Sequence, residues 1–351
     1  MNIELFAHES VNNAHQLNTS DLHVLPNDQG YGIYYRLSGQ LIKKYDLSPE
    51  DGVRFITYFK FLANMDVGEK RRPQSGALLF PLAETAIDLR LSTIANYLGQ
   101  ESLVIRLLAE DYMEKSQVQV FFEHEWNQIK RLIRYKSGLI LFSGPVDSGK
   151  TTAMYHLVKN RLESQQQQVI SIEDPVEIKE KSFLQVQVNE KSGVTYEQLL
   201  KASLRHHPDI ILVGEIRDEE TAKMVIRGAL TGHLILATVH AKDAAGVLTR
   251  LEELGISSEL LQQTIIGIIF QKLLPIYCPL CQSNCHILCD HYYNRSKRAA
   301  LCEVWDRVKI NEFYHPLKQK SSINRSFNHL LKKVYSYGFI SQDVYEQYYI
   351  P

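Results

Sequence analysis

The residues Gly144, Pro145, Val146, Asp147, Ser148, Gly149, Lys150, Thr151 and Thr152 contain the spacing G-x-x-x-x-G-K-T. Such a loop binds phosphate for physical reasons. Its glycines let backbone N–H groups turn inward around phosphate oxygens, and the following helix adds the positive end of its dipole. Lys150 is expected to reach the β- and γ-phosphates of a nucleotide, and the Thr151 hydroxyl to ligate Mg²⁺. Asp147 is out of character here. Facing a phosphate at about 5 Å with an effective dielectric of 20, its carboxylate is repelled by about 3 kcal/mol. Either Lys150 and the metal offset that repulsion, or the side chain points outward.

Hydrolysis of a nucleotide needs an acid at the carboxyl end of a neighbouring strand, where it can position Mg²⁺ or the attacking water. The segment DIILVGE supplies an apolar strand, a glycine for close approach, and then Glu215. A second candidate is IEDPVE, in which Glu173, Asp174 and Glu177 follow another apolar run and Pro175 stiffens the turn. That cluster reads equally well as a solvated turn. His233 and His240 bracket the strand pattern at 234–239. Seven residues apart they fall on opposite faces of a regular strand, which argues against a shared metal. Arg90 and Arg106 sit in strand patterns near the start of the chain. They read either as surface ion-pair partners or as guanidinium groups for a terminal phosphate.

Cys278, Cys281, Cys285 and Cys289 account for four of the five cysteines. Cys-Pro-Leu-Cys has the spacing of a zinc knuckle, and Cys285 and Cys289 would complete a Cys₄ set, with His286 or His291 as substitutes. Reduced structural thiols are the other reading. Cys302 lies in the strand-like RAALCEV and is expected in a core.

The elements that must position these groups follow from hydrophobic periodicity. Residues 1–110 form a small α+β block. Strands are expected at 20–24, 31–37, 89–94 and 103–108, with a helix at 51–65. Residues 111–119 are polar and resemble a linker. From 120 to 275 apolar strands alternate with helices, the signature of an α/β sheet, with strands expected at 139–142, 168–172, 210–213 and 234–238. The stretch 258–274 reads as a largely buried helix. The cysteine segment spans 276–304, and 305–351 closes with helices at 325–337 and 341–349.

The chain has 351 residues, 44% hydrophobic and 23% charged, and a net charge of −1. This composition suits a protein with real cores and more than one domain. The charge provides no global attraction to nucleic acid, so no direct DNA binding is expected. An early acid and the lack of a long apolar stretch argue against a signal peptide or a membrane span, and a cytoplasmic location is expected.

Taken together, GPVDSGKTTAMY, ISIEDPVEI, HPDIILVGEIRDEETA and TGHLILATVHAKDA resemble the phosphate loop, aspartate box, Walker B segment and histidine box of the secretion ATPases of type II secretion and type IV pilus systems. SDLHV and MDVGEKRRPQSG resemble that family's N-terminal domain. The short chain and its CPxC segment ahead of a KRA strand are similar to the competence-pilus assembly subgroup of Gram-positive bacteria. The resemblance implies a RecA-like P-loop domain preceded by a small α+β, PAS-like domain, with a Cys-rich insert and C-terminal helices. It implies ATP and Mg²⁺ as ligands, Glu215 and Glu177 as essential acids supported by Glu173 and Asp174, and His233 and His240 as sensors of nucleotide state. Arg90 and Arg106 become the arginines that close on the terminal phosphate. It further implies a homo-hexameric ring, peripheral at the cytoplasmic membrane. The ring would act with a polytopic membrane platform protein and, indirectly, with pilin-like subunits, to build a pseudopilus for DNA uptake. A nucleotide-gated scaffold with weak hydrolysis is the alternative, favoured by Asp147. The chain departs from the family at Asp147, in place of glycine, and at Ala241-Lys242, in place of Thr-Asn.

Overall fold

The computed structural model describes residues 1–17, 19–37, 39–82, 86–108, 118–189, 192–284, 297–315 and 325–351. The chain divides into two compact units, residues 1–115 and 116–351.

Unit 1 contains α1 (Ile3–Gln16), β1 (Asp21–Asn27), β2 (Gly30–Leu37), β3 (Gln40–Leu47), α2 (Pro49–Leu62), β4 (Gln74–Pro81), β5 (Ala86–Ala95) and β6 (Glu101–Leu108). The strands form one antiparallel sheet in the order β3-β2-β1-β6-β5-β4. Alternation decides its two faces. Leu22, Val24, Ile33, Tyr35, Leu103 and Ile105 are buried on one face, with Phe55, Ile56 and Phe59 of α2 and Ala7 and Val11 of α1 in the same core. The opposite face carries a cross-strand row, in which Asp21 pairs in register with Arg36 on one side and Arg106 on the other, and Arg106 pairs with Arg90. Helix α2 starts as its sequence dictates: Ser48 caps the Asp51 N–H, Pro49 enters the first turn, and Glu50 and Asp51 complement the dipole.

Unit 2 contains α3 (Glu123–Leu132), β7 (Gly138–Ser143), α4 (Lys150–Leu162), β8 (Val169–Glu173), β9 (Leu184–Gln187), α5 (Tyr196–Ser203), β10 (Ile210–Val213), α6 (Glu219–Leu230), β11 (Leu234–Val239), α7 (Ala244–Glu253) and α8 (Ser258–Thr264). There follow β12 (Ile265–Pro275), β13 (Tyr277–Cys278), β14 (Ser283–Asn284), β15 (Arg298–Asp306), α9 (Arg307–Tyr314), α10 (Phe327–Ser336) and α11 (Gln342–Tyr348). A seven-stranded sheet runs in the order β15-β12-β7-β11-β10-β8-β9. It is parallel except for β15, which pairs antiparallel with β12. Every residue of β7, β8, β10 and β11 is buried, as a parallel sheet covered on both faces requires. Because these strands run the same way, their carboxyl ends open on one edge, where ligands of α/β sheets bind.

One element differs from its expected type. The run expected as a helix over 258–274 is helical only through Thr264, and Ile265–Pro275 is a strand buried between β7 and β15. An apolar run buried all round has no amphipathic period, and its β-branched content favours the pleated form. Gly267 allows close packing there: a Cβ at that position would lie 2.4 Å from Leu132 Cδ1.

The expected linker falls almost wholly outside the described residues, as do Cys285, His286, Cys289 and His291. Among the described residues, no helix is long and apolar enough to cross a membrane.

Candidate nucleotide site

Strand β7 ends at Ser143, and the loop after it is shaped by three positive φ angles: Gly144 at 141°, Asp147 at 60° and Gly149 at 78°. Glycine is required at 144, because a Cβ there would lie 2.1 Å from the Gln271 carbonyl oxygen of β12. Gly149 is the left-handed residue preceding α4, and Lys150 and Thr151 form its first turn. The Lys150 ammonium donates to the carbonyl oxygens of Gly144 at 2.9 Å and Pro145 at 2.8 Å, which curls it over the loop. Burial lowers its pKa, while the charges of Glu215, Glu177 and Asp147 oppose that shift. Two acids from separate strand ends are thus felt at the lysine.

Glu215 lies just past β10. Gly214 lets the chain pass closely, since a Cβ there would sit 2.9 Å from the Tyr196 hydroxyl and 3.2 Å from the Ile172 carbonyl oxygen. Glu215 accepts from Arg217 Nε at 2.6 Å, and His240 Nε2 stands 3.3 Å from its other oxygen. Arg217 also reaches Asp174 at 3.7 Å, joining the ends of β8 and β10 through one guanidinium. His240 is held in place by its strand end, where Ala241 N–H donates to Ser143 Oγ at 3.1 Å.

Glu173 has a different setting from Glu215. It is buried, and its carboxylate accepts a hydrogen bond from the Tyr155 hydroxyl, to which Gln185 also donates. Burial raises the Glu173 pKa, opposed by those hydrogen bonds. Asp174 and Pro175 are joined by a cis peptide bond.

The structure separates the two histidines. His240 follows the carboxyl end of β11, whereas His233 precedes its start, where its carbonyl oxygen accepts from Gly138 N–H at 3.1 Å. Its ring faces Thr231 and the Gly228 carbonyl oxygen. A six-residue strand lies between them, so within one chain His233 is at the opposite edge of the sheet from Lys150.

Arg90 and Arg106 are cross-strand neighbours in unit 1. Arg106 Nε lies 3.0 Å from Asp21, whose other oxygen is 4.0 Å from Arg36 Nε. His23 accepts from Arg36 Nε at 3.2 Å. Burial and the Arg36 charge both lower its pKa, in keeping with a neutral ring.

Of the cysteine cluster, Cys278 is buried in β13 and Cys281 lies in the turn between β13 and β14. Among the described residues, no group of three or more His, Cys, Asp or Glu could hold a metal ion. Burial pushes the Cys302 thiol up to about 12. It contacts Gln271 Oε1, while Gln271 Nε2 donates to Ser148 at 2.6 Å.

Four contributors escape the sequence reading: Arg217, Tyr196, Gln271 and Arg298. Gln271 had a signal, as a lone amide in the apolar run IIGIIFQKLL. Arg217 stands two residues past the candidate acid. Tyr196 carries no local signal, and Arg298 lies in the marked segment RAALCEV, where nothing local points it at the phosphate loop.

The arrangement suits a magnesium nucleotide. Mg²⁺ is ordinarily held by one or two protein oxygens together with substrate phosphates and water. A threonine hydroxyl at the helix start with nearby carboxylates is a donor set of that kind.

The family model described as Type II/IV secretion system protein matches residues 1–337. The chain is 35% identical to Competence protein ComGA of Bacillus subtilis (strain 168) over 348 residues, 99% of this chain and 98% of that protein. It is 43% identical to Competence protein ComGA of Streptococcus pneumoniae over 272 residues, 78% of this chain and 85% of that one. Among solved structures, the ATPase DotB of Legionella pneumophila aligns with a TM-score of 0.71 at 21% identity, over 98% of this chain and 95% of that one. The pilus retraction motor PilT, crystallised with ADP, aligns with a TM-score of 0.66 at 23% identity, over 98% of this chain and 96% of that one. At those identities the structural likenesses establish the fold, which is mixed α/β and RecA-like.

Proposed function

The chain belongs to the Type II/IV secretion system protein family, and on that premise we propose that it is the ATPase that drives assembly of a competence or type IV-like pilus. The observation that carries this reading is the glycine-turned loop at the end of β7, with Lys150 curled over the Gly144 and Pro145 carbonyl oxygens and the Glu215–His240 pair at the same edge of the sheet.

In this reading the loop N–H groups and Lys150 grip the triphosphate, and Thr151 is the protein ligand that would hold Mg²⁺. The metal would supply charge neutralisation on the phosphates. Glu215, oriented by Arg217 and His240, polarises the attacking water. Asp174 and Arg217 tie the two acidic strand ends together, and Glu177 completes the acidic shell. Glu173 acts behind that shell, bracing the turn from the core. Family membership supports Arg90 and Arg106 as guanidinium groups for the terminal phosphate and His233 as a sensor of nucleotide state.

The working assembly is a homo-hexamer at the cytoplasmic face of the membrane, coupled through a membrane platform protein to pilin-like subunits and so to DNA uptake. Lys150→Ala and Glu215→Gln should each abolish ATP turnover and, in cells, surface filaments and transformation together. Wild-type filaments in the Glu215→Gln strain would overturn the motor reading in favour of a nucleotide-gated scaffold.

A further inference from the structure

The phosphate loop holds an acidic residue at its tip, and a guanidinium from a distant strand is bonded to it. Arg298 Nη1 lies 2.9 Å from Asp147 Oδ2, across 151 residues of sequence. The arginine side chain is 23% exposed and the aspartate 56%, so the guanidinium is the fixed member of the pair. Arg298 opens β15 and pairs in register with Pro275, the last residue of β12. Two residues back on β12 from Pro275, Leu273 approaches the loop, its Cδ1 within 3.3 Å of where a Gly149 Cβ would be, and Gln271 bonds Ser148. The loop is therefore held from the β12–β15 side at Ser148 and again at Asp147. The C-terminal helix closes the same corner. Lys272 Nζ donates to the Tyr348 carbonyl oxygen at 3.2 Å, and the charges of Arg298 and Asp147 both act on the Tyr348 hydroxyl.

We infer that Arg298 is a positioning residue for nucleotide binding, which turns the Asp147 carboxylate away from the phosphates and pins the loop tip to β15. A carboxylate without this partner is free to swing towards the anion, where like charges at close range oppose binding. Paired with Arg298, it becomes a tether whose charge is locally balanced. The left-handed backbone at Asp147 fits this use, because aspartate tolerates that conformation better than most residues and can still offer a side-chain anchor. The inference rests on the nucleotide-site reading given above.

The test is a double-mutant cycle on the full-length chain, read by titration with fluorescently labelled ADP in magnesium buffer and by steady-state ATPase kinetics. Arg298→Gln should weaken binding about tenfold and raise KM more than it lowers kcat, while in the Asp147→Asn background the same change should cost less than about twofold. Arg298→Lys keeps the charge but loses the fork, and should fall between, at about threefold. It also serves as the reading if Arg298→Gln fails to fold. An equal loss in both backgrounds, or no loss on the wild-type background, overturns the inference. Lys150→Ala in parallel separates the two levels: if it retains labelled-ADP binding, the nucleotide site itself is misplaced. If it loses binding while Arg298 and Asp147 show no coupling, only the positioning role falls.

Discussion

Glu215 and His240 end two neighbouring parallel strands and meet at 3.3 Å, with Arg217 bonded to the other carboxylate oxygen. An acid held from both sides is aimed by its neighbours and cannot rotate freely into solvent. Glu215→Gln should leave labelled-ADP affinity within about threefold and cut turnover by about a hundredfold or more, since the loss is confined to proton handling in the reaction. His240→Ala and Arg217→Ala should each cost less, because each removes one of two orienting contacts. Equal retention of turnover in all three variants removes Glu215 from the chemistry.

Gly144 is pressed against β12, and its φ of 141° is closed to side chains. Gly144→Ala should destabilise the chain by about 2–3 kcal/mol and lose nucleotide binding. Gly68→Ala is the control, because an added Cβ there meets only the Asp66 carboxylate, at 3.4 Å, an ordinary van der Waals distance. Thermal melts of the two variants should differ clearly; similar melting points would show that the loop relaxes away from Gln271.

Glu173 titrates above its ordinary value of 4.5 because it is buried. A carboxyl whose folded pKa is raised favours folding when protonated, so its contribution is present at low pH. That contribution is lost as pH climbs from the ordinary value through the raised one. Glu173→Gln should therefore raise the melting temperature relative to wild type near neutral pH, with the advantage shrinking below the ordinary carboxylate range. A constant difference at all pH values would place its cause elsewhere. Tyr155→Phe, which strips the hydrogen bond from the same carboxyl, should cost about 1–3 kcal/mol at neutral pH.

Arg106 shares Asp21 with Arg36 and is itself half exposed, so the ion pair contributes only about 0–1 kcal/mol to stability. Arg106→Ala should leave the melting point and ADP affinity nearly unchanged while lowering kcat for ATP. Unaltered kcat would return this residue to an ordinary surface pair. The same experiment on Arg90 tests its cross-strand neighbour.

Cys278 and Cys281 lie on a two-stranded hairpin, with Tyr277 opposite Asn284 and Cys278 opposite Ser283. If the remaining cysteines complete a tetrahedral site, elemental analysis of protein never exposed to chelator should find about one zinc per chain. Absence of zinc would leave these residues as structural thiols.

Much of the site can be read from contiguous residues. The loop of residues 144–151 is a local device: strand, glycine turn and helix start supply its backbone donors without help from elsewhere. Glu215 follows the apolar run IILVG, whose strand the sequence marks, whereas the acids of 173–177 read locally as well as a solvated turn, and only the parallel pairing of β8 with β10 sets them beside Glu215. Periodicity alone could not separate β12 from a buried helix, since both bury every side chain. That single ambiguity hid the loop's supports. Gln271 and Arg298 reach Ser148 and Asp147 from 123 and 151 residues away; the parallel pairing of β12 with β7 brings the first there, and the antiparallel register of β15 on β12 the second. Whether Asp147 faces a phosphate or a guanidinium is a question about what stands beside it in space. Local sequence holds the chemistry of a side chain, whereas its direction comes from partners assembled when the sheet closes around the loop.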